Sequence, residues 1–174
     1  MKKYYLVLLS AFFITLSGCA TVTGDIQVES ELVPNVKWNS YKSYDWLSAF
    51  EAVKDPNNSW KAPDIDITGD IRYLIDRELR NRNINSSAGV PDLAVSFFIG
   101  VDMEHQEYQL DPETKIKLNT NIPKGALVVV LIDVTSGEVV WMGNATADIQ
   151  ENATDDLVRQ RLDYAISEMF KTLP

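Results

Sequence analysis

Few side chains in this 174-residue chain can do chemistry: one cysteine, one histidine and two runs of carboxylates. His105 lies between Glu104 and Glu107, with Asp102 just before it. Those four could make a weak metal site, but without a second histidine or a thiol they fall short of a zinc ligand set. A solvated loop histidine is the simpler reading, and no metal or cofactor is expected. The first acidic run is Asp102, Glu104, Glu107, Asp111 and Glu113; the second is Asp148, Glu151, Asp155 and Asp156. Two carboxylates at the right separation can hydrolyse a glycoside. A calcium loop would need its fixed spacing and glycine, which are missing. A solvated face, plus acids at the positive end of a helix, is the favoured reading of both runs. There is no Gly-Xaa-Ser-Xaa-Gly elbow, phosphate-binding loop or dinucleotide fingerprint.

Cys19 is different, because its surroundings explain it. Met1-Lys2-Lys3 is basic, Tyr4 to Leu16 is nearly all apolar, and small residues follow, the pattern of a secretory leader. The run is shorter than the roughly 20 apolar residues that span a bilayer, and polar Thr21, Thr23 and Asp25 come soon after. Leu16-Ser17-Gly18-Cys19 looks like a bacterial lipobox, in which the thiol receives a diacylglyceryl group and the leader is cut just before it. An ordinary leader with an incidental cysteine is the alternative. The agreement of basic start, apolar stretch and box favours lipidation, with acyl chains of the palmitate type as anchor. Stable anchoring takes two such signals, at about 0.8 kcal/mol per buried methylene. By the enteric sorting rule, Ala20 in place of Asp implies the outer membrane.

Residues 1–18 are thus expected to be a cleaved signal peptide, 19–24 a lipidated tether and 25–174 a single domain. The 156 residues left after that cut, 19–174, carry 14 basic and 25 acidic side chains, a charge of −11 against −9 for the whole chain. Such a surface repels phosphates, which argues against nucleic acid and against electrostatic membrane binding. With Cys19 modified no thiol is left, so no disulfide is expected.

The elements that must position these residues follow from periodicity. Alternation predicts a strand at 25–32, broken by Pro34-Asn35, and another at 42–47 paired to it. Ile67, Ile71, Leu74, Ile75 and Leu79 predict a helix over 66–82, capped by Asp64 or Asp66 and stopped at Asn83. Strands follow from Leu93 to Val101, Ala126 to Val134 and Glu138 to Ile149. The last two flank a Thr135-Ser136-Gly137 turn, and the near-continuous apolar run of 126–134 makes that strand central. A second helix, capped by Asn152 or Thr154, buries a stripe from Val158 through Leu162, Ile166 and Phe170 to Leu173. The order is β-β-α-β-β-β-α. The expected fold class is α+β: an antiparallel-rich sheet with two helices packed on one face.

Trp38, Tyr41, Tyr44, Trp46 and Trp141 suit core or sheet packing. Trp60 stands in a polar loop, where an exposed indole could anchor a partner or fold back over the sheet edge. Tyr41-Lys42-Ser43-Tyr44-Asp45-Trp46, Pro91-Asp92-Leu93-Ala94-Val95, the Leu127–Thr135 strand with Asp133, Trp141 with Gly143, and a terminal helix ending Phe170 to Pro174 recur in that order. Together they resemble the bacterial lipoproteins of domain of unknown function 4136. The likeness covers nearly the whole mature chain, with Asn83 where relatives commonly have Gly. It implies no catalytic residue.

The leading expectation is a non-enzymatic, lipid-anchored envelope domain facing the periplasm. It would act as adaptor or structural accessory by binding an envelope protein or glycan. The alternatives are a periplasmic hydrolase with paired carboxylates, needing a cleft with one raised pKa, and a carrier of a small apolar ligand, needing a cavity of several hundred Å³.

Overall fold

The computed structural model describes residues 22–47, 52–54, 66–100, 107–109, 117–119, 125–150 and 153–174. The leader, Leu16, Ser17, Gly18, Cys19, Trp60, His105, Glu151 and most of the first acidic run lie outside the described residues. Among the described residues the chain runs β1 (Gln27–Leu32), a 3-10 turn (Trp38–Ser40), β2 (Ser43–Trp46), β3 (Ala52–Lys54), α1 (Ile67–Asn81) and β4 (Asn85–Ser86). It continues through β5 (Leu93–Gly100), β6 (Glu107–Gln109), β7 (Lys117–Asn119), β8 (Ala126–Asp133), β9 (Val139–Thr146) and α2 (Asp155–Phe170).

The sheet order is β1-β9-β8-β5-β2-β4, with β3 alongside the far end of β5; β6 and β7 pair with each other. The α+β class is as expected, and β8 is interior to the sheet. The sheet is mixed: β1, β9, β8 and β5 are antiparallel neighbours, whereas β2, β3 and β4 join in parallel. Strand β9 ends at Thr146, three residues short of expectation. The short β3, β4, β6 and β7 carry too few residues for alternation to reveal them.

The expected pairing of 42–47 with the first strand is incorrect. Strand β2 lies parallel to β5, with Tyr44 opposite Leu93, on the other side of the sheet from β1. Parallel strands need a long crossover, and α1 supplies it. One carboxylate fixes the register. Asp92 Oδ2 accepts from Lys42 N at 2.8 Å and from Ser43 N and Ser43 Oγ at 2.9 Å each, joining the start of β2 to the start of β5.

Pleating sorts the long strands by face. Leu93, Val95 and Phe97 of β5, Leu127, Val129 and Leu131 of β8, and Trp141 and Ala145 of β9 lie under the helices in the main core. On the opposite face Ala94, Phe98, Val128, Val130 and Ile132 form a second buried cluster. Both clusters, with the residues packed on them, fall between Ile26 and Leu173, so the folded unit contains its own core.

Both helices are capped as their sequences suggest. Asp66 accepts from Gly69 N, Thr154 from Leu157 N, and Asn83 turns left-handed at φ 61°. They run parallel, because their contacts advance together: Asp70 with Arg159, Arg77 with Asp163 and Ser167, Arg82 with the Phe170 carbonyl. Parallel helices put two negative dipole ends side by side. Arg82 stands there, bonded to the Glu78 carbonyl (2.8 Å), the Glu78 carboxylate (3.0 Å) and the Phe170 carbonyl, with its guanidinium over the Phe170 ring. Close approach of α2 to the sheet depends on Gly143. A Cβ there would come within 2.7 Å of the Trp141 ring and 2.9 Å of Met169 Sδ.

Candidate functional site

A recess opens at the end of the sheet where β5 and β9 finish and β8 begins, beneath the first turns of α2. It measures about 140 Å³ and is walled by Ile26, Ile99, Leu127, Ala145, Val158 and Leu162. The lining is mostly hydrocarbon, with Arg161 and Asp148 among its few polar members. Its rim is built around Gly125, which takes φ +59° and lies so close to the next strand that a Cβ would meet the Ala147 carbonyl at 2.6 Å. Val158 and Leu162 are half-buried, unlike the fully covered Ile166 and Phe170 one to two turns on. The buried stripe expected along α2 is therefore open at its amino-terminal end.

Arg161 ties the start of the described chain to this rim. It donates to Asp25 from Nη1 to Oδ1 (2.8 Å) and from Nη2 to Oδ2 (2.6 Å). Nη1 also reaches the Val22 carbonyl (2.6 Å) and Nη2 the Asp148 carbonyl (3.2 Å). Asp25 Oδ2 accepts in turn from Asp148 N at 2.9 Å. The two-point bond from Arg161 outweighs partial burial and draws the Asp25 carboxyl from 3.8 to about 2. This guanidinium is satisfied by the protein itself, so the rim offers no spare cation to a ligand. What the recess can do chemically is shelter a slim apolar group.

The other polar groupings hold the fold. Trp38 and Tyr41 pack edge to face, ring centres 5.5 Å apart. They lie on the segment that carries the chain from β1 across to β2. Tyr41 donates to Asp133 Oδ2 at 2.8 Å, and burial followed by that bond pushes the phenol up to about 12. Burial favours the neutral acid at Asp133, but the bonds from Tyr41, Ser136 N and Thr135 N win and lower its pKa. Asp92 is lowered too, first by the Lys42 amide. Beneath α1, Asp76 Oδ1 accepts from the Tyr44 hydroxyl and from Trp46 Nε1 (3.1 Å), and Arg72 lies over the Trp46 ring at 5.0 Å. Burial, then Asp76, raises the Tyr44 pKa.

Of the carboxylates singled out in the sequence, Asp155 and Asp156 stand exposed on the first turn of α2, Asp148 joins the Arg161 clamp through its backbone, and Glu107 is described by its backbone alone. Among the described residues no group of three metal-binding side chains occurs, and no helix is long and apolar enough to cross a membrane. Asp25 and Arg161 were not singled out. The available signal was position: Arg161 falls within the apolar stripe between Val158 and Ala165, where a charge requires a partner.

Comparison with known proteins comes to the same architecture. A family model described as domain of unknown function 4136 (DUF4136) matches residues 28–174. No functionally curated protein matches the chain. Among solved structures, a DUF4136 family protein from Bacteroides thetaiotaomicron is 8% identical, with a TM-score of 0.61 over 83% of this chain and 95% of that one. At that identity the likeness is one of fold. A PelC dodecamer from Paraburkholderia phytofirmans (12% identical, TM-score 0.48, 83% and 94% covered) and a minor lipoprotein from Acinetobacter baumannii (12%, 0.33, 77% and 93%) are more distant.

Proposed function

We propose, from the premise that the chain belongs to the DUF4136 family, that it is a non-enzymatic, lipid-anchored domain of the bacterial envelope. Cys19 carries the lipid, the outer membrane holds it, and the domain faces the periplasm as adaptor or structural accessory to an envelope protein or glycan. The observation that carries this reading is the grip on the tether. The lipobox cysteine stands three residues before Val22, and Arg161 holds Val22 and Asp25 against α2. A tether gripped in this way sets how the domain sits on its membrane, as an adaptor needs. Among the described residues, the carboxyls with displaced pKa, Asp25, Asp92 and Asp133, are lowered and already paired, whereas a general acid needs a raised value; this supports binding over turnover.

The test is labelling with an alkyne analogue of palmitate, followed by membrane fractionation, for wild type and Cys19→Ala. Wild type should take the label and sediment with outer membrane, and the variant should lose the label and either leave the membrane or stay uncut. Label on Cys19→Ala, or its mature form still in the outer membrane, would place the anchor elsewhere. In-cell cross-linking that recovers no envelope component above the Cys19→Ala control would remove the adaptor role.

A further inference from the structure

We propose that the recess beside Arg161 seats the end of one acyl chain carried on Cys19, so that part of the anchor is also a ligand of the domain; this rests on the lipid reading above. Four observations lead there. The walls are aliphatic, from Ile26, Ile99 and Leu127 on the sheet side to Val158 and Leu162 on α2, and covering such apolar surface with hydrocarbon is favourable. The Arg161 guanidinium at the rim is satisfied internally by Asp25 and by the Val22 and Asp148 carbonyls, so it has no free donor pair to offer an anionic headgroup. The volume, about 140 Å³, is close to the roughly 150 Å³ that holds a single benzene. It suits about six carbons of one chain and excludes two side by side.

Reach selects the source. Two residues, Ala20 and Thr21, separate Cys19 from Val22, so the three steps span at most about 11 Å of extended chain. The Val22 carbonyl is 2.6 Å from Arg161, which itself lines the recess. A chain on Cys19 is thereby held next to the opening, whereas a free lipid must find it by diffusion.

The experiment compares two proteins by methyl NMR of Ile26, Ile99, Leu127, Val158 and Leu162. One is the domain from Ala20 onward, which keeps the whole core and has no lipid; the other is the mature lipidated chain in phospholipid nanodiscs. 1-Octanol is the probe. In the lipid-free domain it should shift these methyls saturably, and Ala165→Leu, which fills the recess, should abolish the shifts. Ala153→Leu at the recess wall serves the same purpose if Ala165→Leu does not fold. In the lipidated chain the methyls should already sit at the octanol-bound positions and move no further. No shift in the lipid-free domain overturns the proposal. An equal shift in both proteins also overturns it, by showing a recess open to chains from elsewhere. Mass spectrometry finding Cys19 unmodified in membranes overturns the lipid reading and this proposal together, whereas the octanol outcomes bear on the recess alone.

Discussion

Replacing Asp25 by Asn keeps the shape of the clamp and removes its negative charge. In the native chain the carboxyl is drawn from 3.8 to about 2, mainly by the bond from Arg161. At about 1.4 kcal/mol per pH unit that difference corresponds to about 2.5 kcal/mol. Roughly a quarter of the Asp25 side chain meets solvent (24% exposed), and screening reduces the expected effect to about 1–2 kcal/mol. The folded pKa lies below the unfolded one, so this stabilisation is complete above about pH 5 and disappears as pH falls through about 2. Urea unfolding of wild type and Asp25→Asn at a series of pH values isolates it, because the other lowered carboxyls, Asp92 and Asp133, are common to both proteins. The difference should be flat from pH 7 to 5, shrink below pH 4 and approach zero near pH 2. Hydrogen exchange should accelerate at the Asp148 amide, which donates to Asp25. A stability difference that stays constant down to pH 2, or exchange that does not change, would refute the claim that charge pairing holds residues 22–25 against α2.

Arg82→Met should lower stability by about 3 kcal/mol. It leaves the Glu78 carboxylate, 11% exposed, with Arg77 as its remaining cation, and removes the shared cap on two helix ends; thermal and urea unfolding check this. Adding Glu78→Leu to Arg82→Met should restore part of the loss, since the stranded charge goes with it. Gly143→Ala should cost about 1–3 kcal/mol by forcing Met169 and Trp141 apart, read as a lower urea midpoint with unchanged m-value.

Periodicity carried most of the fold. Leu93-Ala94-Val95-Ser96-Phe97 alternates cleanly, and both of its faces proved to be core. The helix stripe Ile67, Ile71, Leu74, Ile75, Leu79 is buried throughout, and its cap and stop are Asp66 and Asn83. Pairing was less legible. Nothing in Ser43–Trp46 distinguishes a neighbour in sequence from a neighbour across a helical crossover, and the Asp92 carboxylate that decides between them lies some fifty residues on. The motifs that carried the family resemblance are the ones that lock the architecture: Tyr41 to Asp133, Ser43 to Asp92, Gly143 under Met169. The contacts they make join separate elements of the fold, which explains why they carry a family pattern.

The candidate site divides along the same line. The leader, its small residues and Cys19 are adjacent in the chain, so a short-range signal specifies the expected anchor and needs no fold. The α+β class and the two helix faces are likewise encoded locally, because burial repeats every two residues in a strand and every 3.6 in a helix. The grip on residues 22–25 is another matter. Arg161 and Asp25 stand 136 residues apart, and only the packing of α2 across β1 and β9 brings them within 2.6 Å. The recess beside them likewise arises where the first turn of α2 stands off the sheet, a consequence of tertiary packing that no local pattern encodes.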